Sequence, residues 1–193
     1  VAQRFDQLHG EPAGNDAERG RHGVGFQDRC DIGPGFAVSF PALDRARETL
    51  FNWISPWIPD SRCLDLFAGS GALGFEALSR GAQHADLIDE SAAAFAALTA
   101  AKQMLQADGA IVTRGDALAQ LGKLARAPNR AKARYDIVFV DPPFASTLAV
   151  RALQALVQHE LLADQALVYL ETPKQAATGW NELEWDVFRD KSF

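Results

Sequence analysis

The chain carries, at residues 65–74, the stretch Asp65-Leu66-Phe67-Ala68-Gly69-Ser70-Gly71-Ala72-Leu73-Gly74. The predicted strand Arg62–Phe67 leads into the glycines and a helical pattern follows, which indicates a turn between a strand and a helix. Gly69, Gly71 and Gly74 match the spacing G-x-G-x-x-G. Glycines let a backbone approach a ligand closely, and the N-terminus of the next helix attracts polar groups. The stretch therefore predicts the first strand–turn–helix unit of an open α/β sheet.

Short apolar strands alternate with helices on both sides of this turn. A helix is predicted from about Leu43 until Pro56 interrupts it. The strands are predicted at Arg62–Phe67, Ala85–Ile88, Ala110–Thr113, Asp136–Val140, Ala166–Glu171 and Trp185–Phe188, and the further helices at Leu73–Arg80, Ala92–Gln106, Ala117–Leu124 and Leu148–Gln158. This alternation predicts an α/β fold, a mostly parallel sheet with helices on both faces.

The 193 residues are enough for one domain with a full core. Residues 1–40 show no sustained period, which predicts a poorly ordered or divergent N-terminal segment before a domain at 41–193. A net charge of −6 argues against nucleic-acid binding by bulk electrostatics. No apolar run approaches the roughly 18 residues of a membrane span, so no membrane partner and a cytoplasmic location are expected.

The potential metal ligands are scattered along the sequence. Cys30 and Cys63 are far apart, and the four histidines form no cluster. Neither a zinc site nor a histidine-based triad is therefore predicted.

The acidic residues at the predicted strand ends point to the kind of ligand. Asp89, followed by Glu90, closes the second strand about twenty residues after the first glycine, where a carboxylate binds ribose hydroxyls. Asp65 precedes the glycines and would repel a pyrophosphate, so S-adenosylmethionine fits better than a nicotinamide cofactor. Asp65 could instead only brace the turn. Asp116, before Ala117, could accept from an adenine amino group, cap the next helix, or do both.

A second motif, Asp141-Pro142-Pro143-Phe144, follows the apolar run at 137–140. An exocyclic amine on a nucleobase is a poor nucleophile until acceptors engage its N–H groups, and Asp141 with the carbonyl of Pro142 can supply two. The prolines fix φ and offer no competing N–H donors. Phe144 could stack on an extruded base. The alternative is an ordinary turn after a strand, and the preceding glycine turn favours methyl transfer.

The chain resembles the bacterial 16S rRNA (guanine-N2)-methyltransferases of the RsmD type. The matching segments are Asp44-Arg45, Arg47–Trp53, residues 64–74, Glu76–Ala82, Ile137–Phe144, and Trp185 with Arg189 and Lys191. The resemblance implies a class I, Rossmann-like methyltransferase that uses S-adenosylmethionine on a guanine N2 of 16S rRNA within the small ribosomal subunit or its assembly intermediate. Because the sulfonium already activates the methyl group, no metal is expected, and we expect a monomer. By position the resemblance assigns the catalytic roles to Asp141, Pro142 and Phe144, the methionine end of the cofactor to the glycine turn and the ribose to Asp89. Together with the strand-end argument, the expected catalytic residues are Asp141, Pro142, Pro143 and Phe144, and the expected cofactor-binding residues are Asp65, Phe67, Ala68, Gly69, Ser70, Gly71, Leu73, Gly74, Asp89, Glu90, Asp116 and Ala117.

The chain departs from that family at both ends. Phe40-Pro41-Ala42 stands where an Arg-Pro-Thr step is expected, and the segment up to Phe193 shows no match to the family's last strand, whose absence would be expected to expose a strand edge. Candidate RNA contacts are Arg45, Arg47 and Lys174. The alternatives are an adenine-N6 DNA or protein-glutamine methyltransferase, against which Asp141 and Phe144 count, and a cofactor-binding module with impaired catalysis.

Overall fold

The computed structural model describes residues 2–4, 41–127, 134–143, 147–171 and 186–189. Its strands are β1 (Ala2–Arg4), β2 (Arg62–Asp65), β3 (His84–Asp89), β4 (Ala110–Arg114), β5 (Tyr135–Val140), β6 (Leu162–Leu170) and β7 (Asp186–Arg189). Its helices are α1 (Pro41–Ile54), α2 (Ala72–Ser79), α3 (Ala92–Leu105), α4 (Ala117–Ala125) and α5 (Leu148–Gln158), with a 3-10 turn, Ser55–Trp57, after α1. Within these ranges, every helix is too short or too polar to cross a bilayer.

The strands form one sheet in the order β4-β3-β2-β5-β6-β1-β7. β2 to β6 pair in parallel, and Cys63 of β2 lies between Ala85 of β3 and Ile137 of β5. From β2 the chain moves outward to β3 and β4, then returns to build β5 and β6 on the other side. The predicted α/β fold with a mostly parallel sheet is confirmed. The order in which strands are added switches sides between β2 and β5, which is where such sheets bind ligands.

Both faces of the central strands β2 and β5 are buried, which explains the continuous apolar run of β5. In β5, Ile137 and Phe139 belong to a core with α1, α2 and α3, whereas Val138 and Val140 belong to a second core with α4 and α5. The rings of Phe139 and Phe51 lie 6.0 Å apart, so α1 packs directly over β5. The side chains of Ile137 and Phe139 therefore face α1, whereas Tyr135, which precedes an irregularity in the pairing with β6, belongs to the second core.

The strand β1 lies inside the segment for which the sequence shows no period. It pairs antiparallel with β6, where Gln3 lies opposite Val168, and antiparallel with β7. Residues 5–40 lie outside the described residues, so the prediction of poor order in that segment remains a prediction. In this structure the edge of β6 is nevertheless covered by a strand, which the sequence pattern did not predict.

Candidate active site

A cavity of about 410 Å³ opens at the carboxyl ends of the central strands, within the usual size range of small-molecule sites. It lies between the ends of β2 and β5, where the strand order switches sides. The described residues that line it are Leu66, Phe67, Gly69, Asp89, Glu90, Ser91, Gly115, Asp116, Ala117, Asp141, Pro142, Pro143 and Leu148. Among these lining residues four are acidic and none is basic, so the cavity disfavours a phosphate-bearing ligand and tolerates a cationic one.

The glycine turn forms one wall of this cavity. Gly69 has a positive φ of 50°, and a side chain added there would point into open space, with Phe67 O 4.0 Å away. The turn is tied to β3, because Ala68 donates to Ile88 O at 2.9 Å and Gly69 donates to Asp89 Oδ2 at 2.8 Å. Hydrogen bonds to β3 therefore hold the backbone at Gly69 while it faces open space, and its contact with a ligand stays a prediction.

The other two glycines of the motif serve packing. A Cβ at Gly71 would lie 2.5 Å from the ring of Phe75 and 2.6 Å from Leu98, and one at Gly74 would lie 2.9 Å from Leu87. Neither glycine lines the cavity. Both glycines let α2 pack closely against α3 and β3, and the predicted close approach to a ligand stays a prediction for these two positions.

Asp65 is buried beneath the turn and is absent from the cavity lining. One of its oxygens accepts from the N–H of Gly74 at 3.1 Å, and the N–H of Phe67 also bonds to the carboxylate. Burial raises the pKa of Asp65 to about 7, with further repulsion from Asp141 and Asp89. Of the two roles considered for Asp65, the geometry supports the one in which it braces the turn.

Asp89 and Asp116 both line the cavity and both hold local structure. Asp89 accepts from Gly69 and, through Oδ1, from the N–H of Ser91 at 2.8 Å. Asp116 caps α4 by accepting from Ala119 at 2.8 Å. A carboxylate offers about four lone-pair sites, so each remains able to accept from a ligand. Asp116 can thus cap the helix and still accept from a ligand, which is the double role considered for it.

Asp141, Pro142 and Pro143 leave the end of β5 and border the cavity together. Asp141 is half-buried, Pro142 is buried and Pro143 is exposed. Burial, and then the charge of Glu171, raise the pKa of Asp141 to about 6. At neutral pH the carboxylate is therefore mostly ionised and able to accept hydrogen bonds. Phe144 lies outside the described residues, and its stacking role stays a prediction.

The family model described as "Conserved hypothetical protein 95" matches residues 38–193. The chain belongs to this family.

Several relatives of this chain are named for the methylation of ribosomal RNA. The chain is 41% identical over 151 residues to "Ribosomal RNA small subunit methyltransferase D" of Escherichia coli K12, and the match covers 78% of this chain and 73% of the relative. The protein of the same name from Haemophilus influenzae is 38% identical over 154 residues, covering 79% and 77%. The solved structure "Putative methyltransferase yhhF from Escherichia coli" is 40% identical, with a TM-score of 0.63 and coverage of 77% and 75%. The predicted relationship to the RsmD-type enzymes and the predicted fold class are confirmed.

Not every predicted site residue of this family member reaches the cavity. The predicted residues that line it are Phe67, Gly69, Asp89, Glu90, Asp116, Ala117, Asp141, Pro142 and Pro143, and those that do not are Asp65, Ala68, Ser70, Gly71, Leu73 and Gly74. The cavity also uses four residues that sequence reasoning missed. Ser91 and Gly115 adjoin the acids Asp89 and Asp116 at strand ends, so their positions could have been inferred, and Leu66 directly precedes Phe67. Leu148 begins α5, and no local pattern marks it.

Of the three predicted RNA contacts, the structure describes the side chain of Arg47 alone. Arg45 and Arg47 lie in α1, and the half-buried Arg47 is not among the lining residues. Lys174 lies outside the described residues. The contribution of these three residues to RNA binding therefore stays a prediction.

Proposed function

We propose that this protein transfers a methyl group from S-adenosylmethionine to the N2 amine of a guanine in 16S rRNA, within the small ribosomal subunit or its assembly intermediate. The observation that carries the proposal is the junction of two motifs at one cavity. Asp141-Pro142-Pro143 and the turn at Gly69 border the same space at the carboxyl edge of the sheet. The glycine turn can hold the methyl donor, while Asp141-Pro142-Pro143 can bind the substrate amine that accepts the methyl group.

The residues of the cavity fit S-adenosylmethionine. Asp89 can accept from ribose hydroxyls and Asp116 from an adenine amino group, and the open backbone at Gly69 leaves room for the amino-acid end. When bound, this cofactor supplies an already activated methyl group on a positively charged sulfur. The acidic lining, which would repel the pyrophosphate of a nicotinamide cofactor, stabilises such a charge.

Asp141 and Pro142 prepare the amine. The lone pair of an exocyclic amino group is delocalised into the ring, and acceptors on both N–H groups restore its nucleophilic character. The ionised Asp141 supplies one acceptor and the carbonyl of Pro142 the other, while neither proline offers a competing donor. Holding the amine in line with the methyl group can contribute on the order of 7–11 kcal/mol to catalysis. Phe144 would stack on the extruded base.

The choice of rRNA rests on the relatives, which are named for the small-subunit ribosomal RNA. The net charge of −6 means that affinity for RNA must come from a local basic surface, for which Arg45, Arg47 and Lys174 are our candidates. The choice of guanine N2 rests on the family resemblance and on Asp at position 141, where adenine-N6 and glutamine enzymes more often carry Asn. We propose that the protein acts as a cytoplasmic monomer without a metal.

The test is methylation of purified small ribosomal subunits with labelled S-adenosylmethionine, followed by mapping of the modified nucleotide. We expect label at the N2 position of a single guanine, with large ribosomal subunits as the unmethylated control. Label on an adenine or on protein would contradict the assignment to guanine. Calorimetric binding of the cofactor without transfer to free 16S rRNA, precursor particles or mature subunits would identify the chain as a cofactor-binding module.

A further inference from the structure

Glu171 stands next to Asp141 at the carboxyl edge of the sheet. β5 and β6 run in parallel with Val140 opposite Leu170, and Glu171 donates its backbone N–H to Val140 O at 3.1 Å. Each acid is the first residue beyond its strand. Because neighbouring strands lie about 4.8 Å apart, the two residues leave the sheet side by side.

The two carboxylates also share one face of the sheet. Phe139 lies opposite Tyr169, and side chains two residues further along a strand return to the same face. Asp141 and Glu171 therefore extend the row of Phe139 and Tyr169, on the side that packs against α1. The charge of Glu171 contributes to the raised pKa of Asp141, as expected for neighbouring acids.

A third residue orients Glu171. Tyr169 donates its hydroxyl to Glu171 Oε2 at 2.9 Å. This bond engages one carboxylate oxygen from within the sheet and leaves the carboxylate further lone pairs. Glu171 does not line the cavity that we assign to the cofactor. It is therefore placed beside the amine-binding carboxylate and outside the donor site, where a substrate base would lie.

We propose that Glu171 accepts the N1–H of the target guanine while Asp141 accepts from its N2 amine. This inference rests on the proposed function. N1–H and the N2 amine are adjacent donors on one edge of guanine, and enzymes that extrude a base identify it by hydrogen bonds to that edge. Adenine presents an acceptor at N1, which would face the carboxylate of Glu171 and be rejected. Glu171 is then a specificity residue for guanine, and Tyr169 positions it.

The test compares two bases that both carry an N2 amine. Small subunits are reconstituted with 16S rRNA in which the mapped guanosine is either retained or replaced by 2,6-diaminopurine riboside, whose N1 carries no proton. We expect the wild-type protein to prefer guanine by about ten- to a hundredfold in kcat/KM, the effect of one hydrogen bond to a charged group. In Glu171→Gln the amide can donate to the unprotonated N1, so this preference should shrink at least tenfold.

Two further variants separate recognition from structural effects. Tyr169→Phe keeps the carboxylate and should lower kcat/KM on guanine a few-fold, with a smaller shift in preference. Asp164→Asn removes an exposed acid near the start of β6, where Asp164 pairs with Arg134 at 3.2 Å. This variant should leave kcat/KM unchanged on both bases. The affinity for S-adenosylmethionine, measured by calorimetry, should stay within a few-fold for all three variants.

The outcomes distinguish the two proposals. A loss in Glu171→Gln by the same factor on both bases would show that Glu171 only supports Asp141, and would overturn its role in base recognition. Wild-type methylation of diaminopurine as efficiently as of guanine would overturn it as well. If the wild-type protein methylates no guanine in the particle that retains the guanosine, the proposed function itself is wrong, and the inference about Glu171 is wrong with it.

Discussion

The carboxylate of Asp89 accepts a hydrogen bond from the backbone N–H of Gly69 at 2.8 Å. Its other oxygen accepts from the N–H of Ser91, also at 2.8 Å. One side chain at the end of β3 therefore fixes both the glycine turn and the start of α3. Because Asp89 also lines the cavity, the shape of the cavity and its capacity to bind ribose depend on the same carboxylate.

We expect Asp89→Asn to weaken binding of S-adenosylmethionine by about ten- to a hundredfold. Asparagine keeps one acceptor oxygen, but its amide NH₂ would face one of the two backbone donors and could not accept from a ribose hydroxyl. Calorimetry measures the dissociation constant. Asp108→Asn removes an exposed acid between α3 and β4 and is the matched control. Equal affinities of the two variants would contradict a ribose-binding role for Asp89.

The sequence predicted the order of strands and helices because their apolar runs are buried on both faces. The predicted first and last residues of the strands agreed less well with the structure. β6 begins at Leu162, four residues before the predicted start, since the exposed Asp164 and Gln165 interrupt the apolar pattern. β1 could not be predicted, because three residues carry no period and their strand is defined only by pairing with β6 and β7.

The candidate site was predictable where chemistry follows directly from a strand end, as at Asp89, Asp116 and Asp141. It was not predictable where a role depends on packing across the sheet. The motif could not reveal that a side chain at Gly71 would meet Phe75, or that Glu171 adjoins Asp141, because both facts depend on which elements become neighbours.

We expect Gly69→Ala and Gly74→Ala to have opposite effects. A methyl group at Gly69 enters open space beside the cavity, so it should weaken cofactor binding at a stability cost of about 1 kcal/mol for its positive φ. A methyl group at Gly74 would lie 2.9 Å from Leu87 and should destabilise the fold by about 1–3 kcal/mol, with less effect on affinity. Urea denaturation and calorimetry on both variants provide the comparison. If Gly69→Ala binds like the wild type, the turn does not contact the cofactor.

We expect Asp141→Ala to abolish methyl transfer to small subunits while cofactor affinity stays within a few-fold. The variant removes the acceptor for the amine but leaves Asp89, Asp116 and the glycine turn intact. Single-turnover transfer of label and calorimetry measure the two properties separately. Asp164→Asn is again the control for loss of one acidic residue. Retained transfer in Asp141→Ala would exclude the proposed role of this carboxylate.

The pH dependence of transfer should report the ionisation of Asp141. Its pKa is raised to about 6, and only the ionised form accepts without also presenting a donor. We therefore expect kcat/KM to fall tenfold per pH unit well below about pH 6. Since the charge of Glu171 contributes to this raised pKa, Glu171→Gln should move the acidic limb of the profile to lower pH. If the acidic limb of the profile lies at the same pH in the wild-type protein and in Glu171→Gln, a group other than Asp141 controls the pH dependence.

The buried Asp65 should make the stability of the fold depend on pH in an unusual direction. Its pKa is about 7 in the folded protein, against 3.8 ordinarily, so the folded state binds this proton more tightly than the unfolded chain. The stabilisation is complete below about pH 4 and is lost as the pH rises through about 7. We expect the free energy of unfolding to fall by a few kcal/mol across this window. Asp65→Asn, whose carbonyl can still accept from Gly74, should remove that part of the dependence in urea denaturation at pH 5 and pH 8. The same difference between the two pH values in both proteins would show that Asp65 is ionised in the folded state throughout.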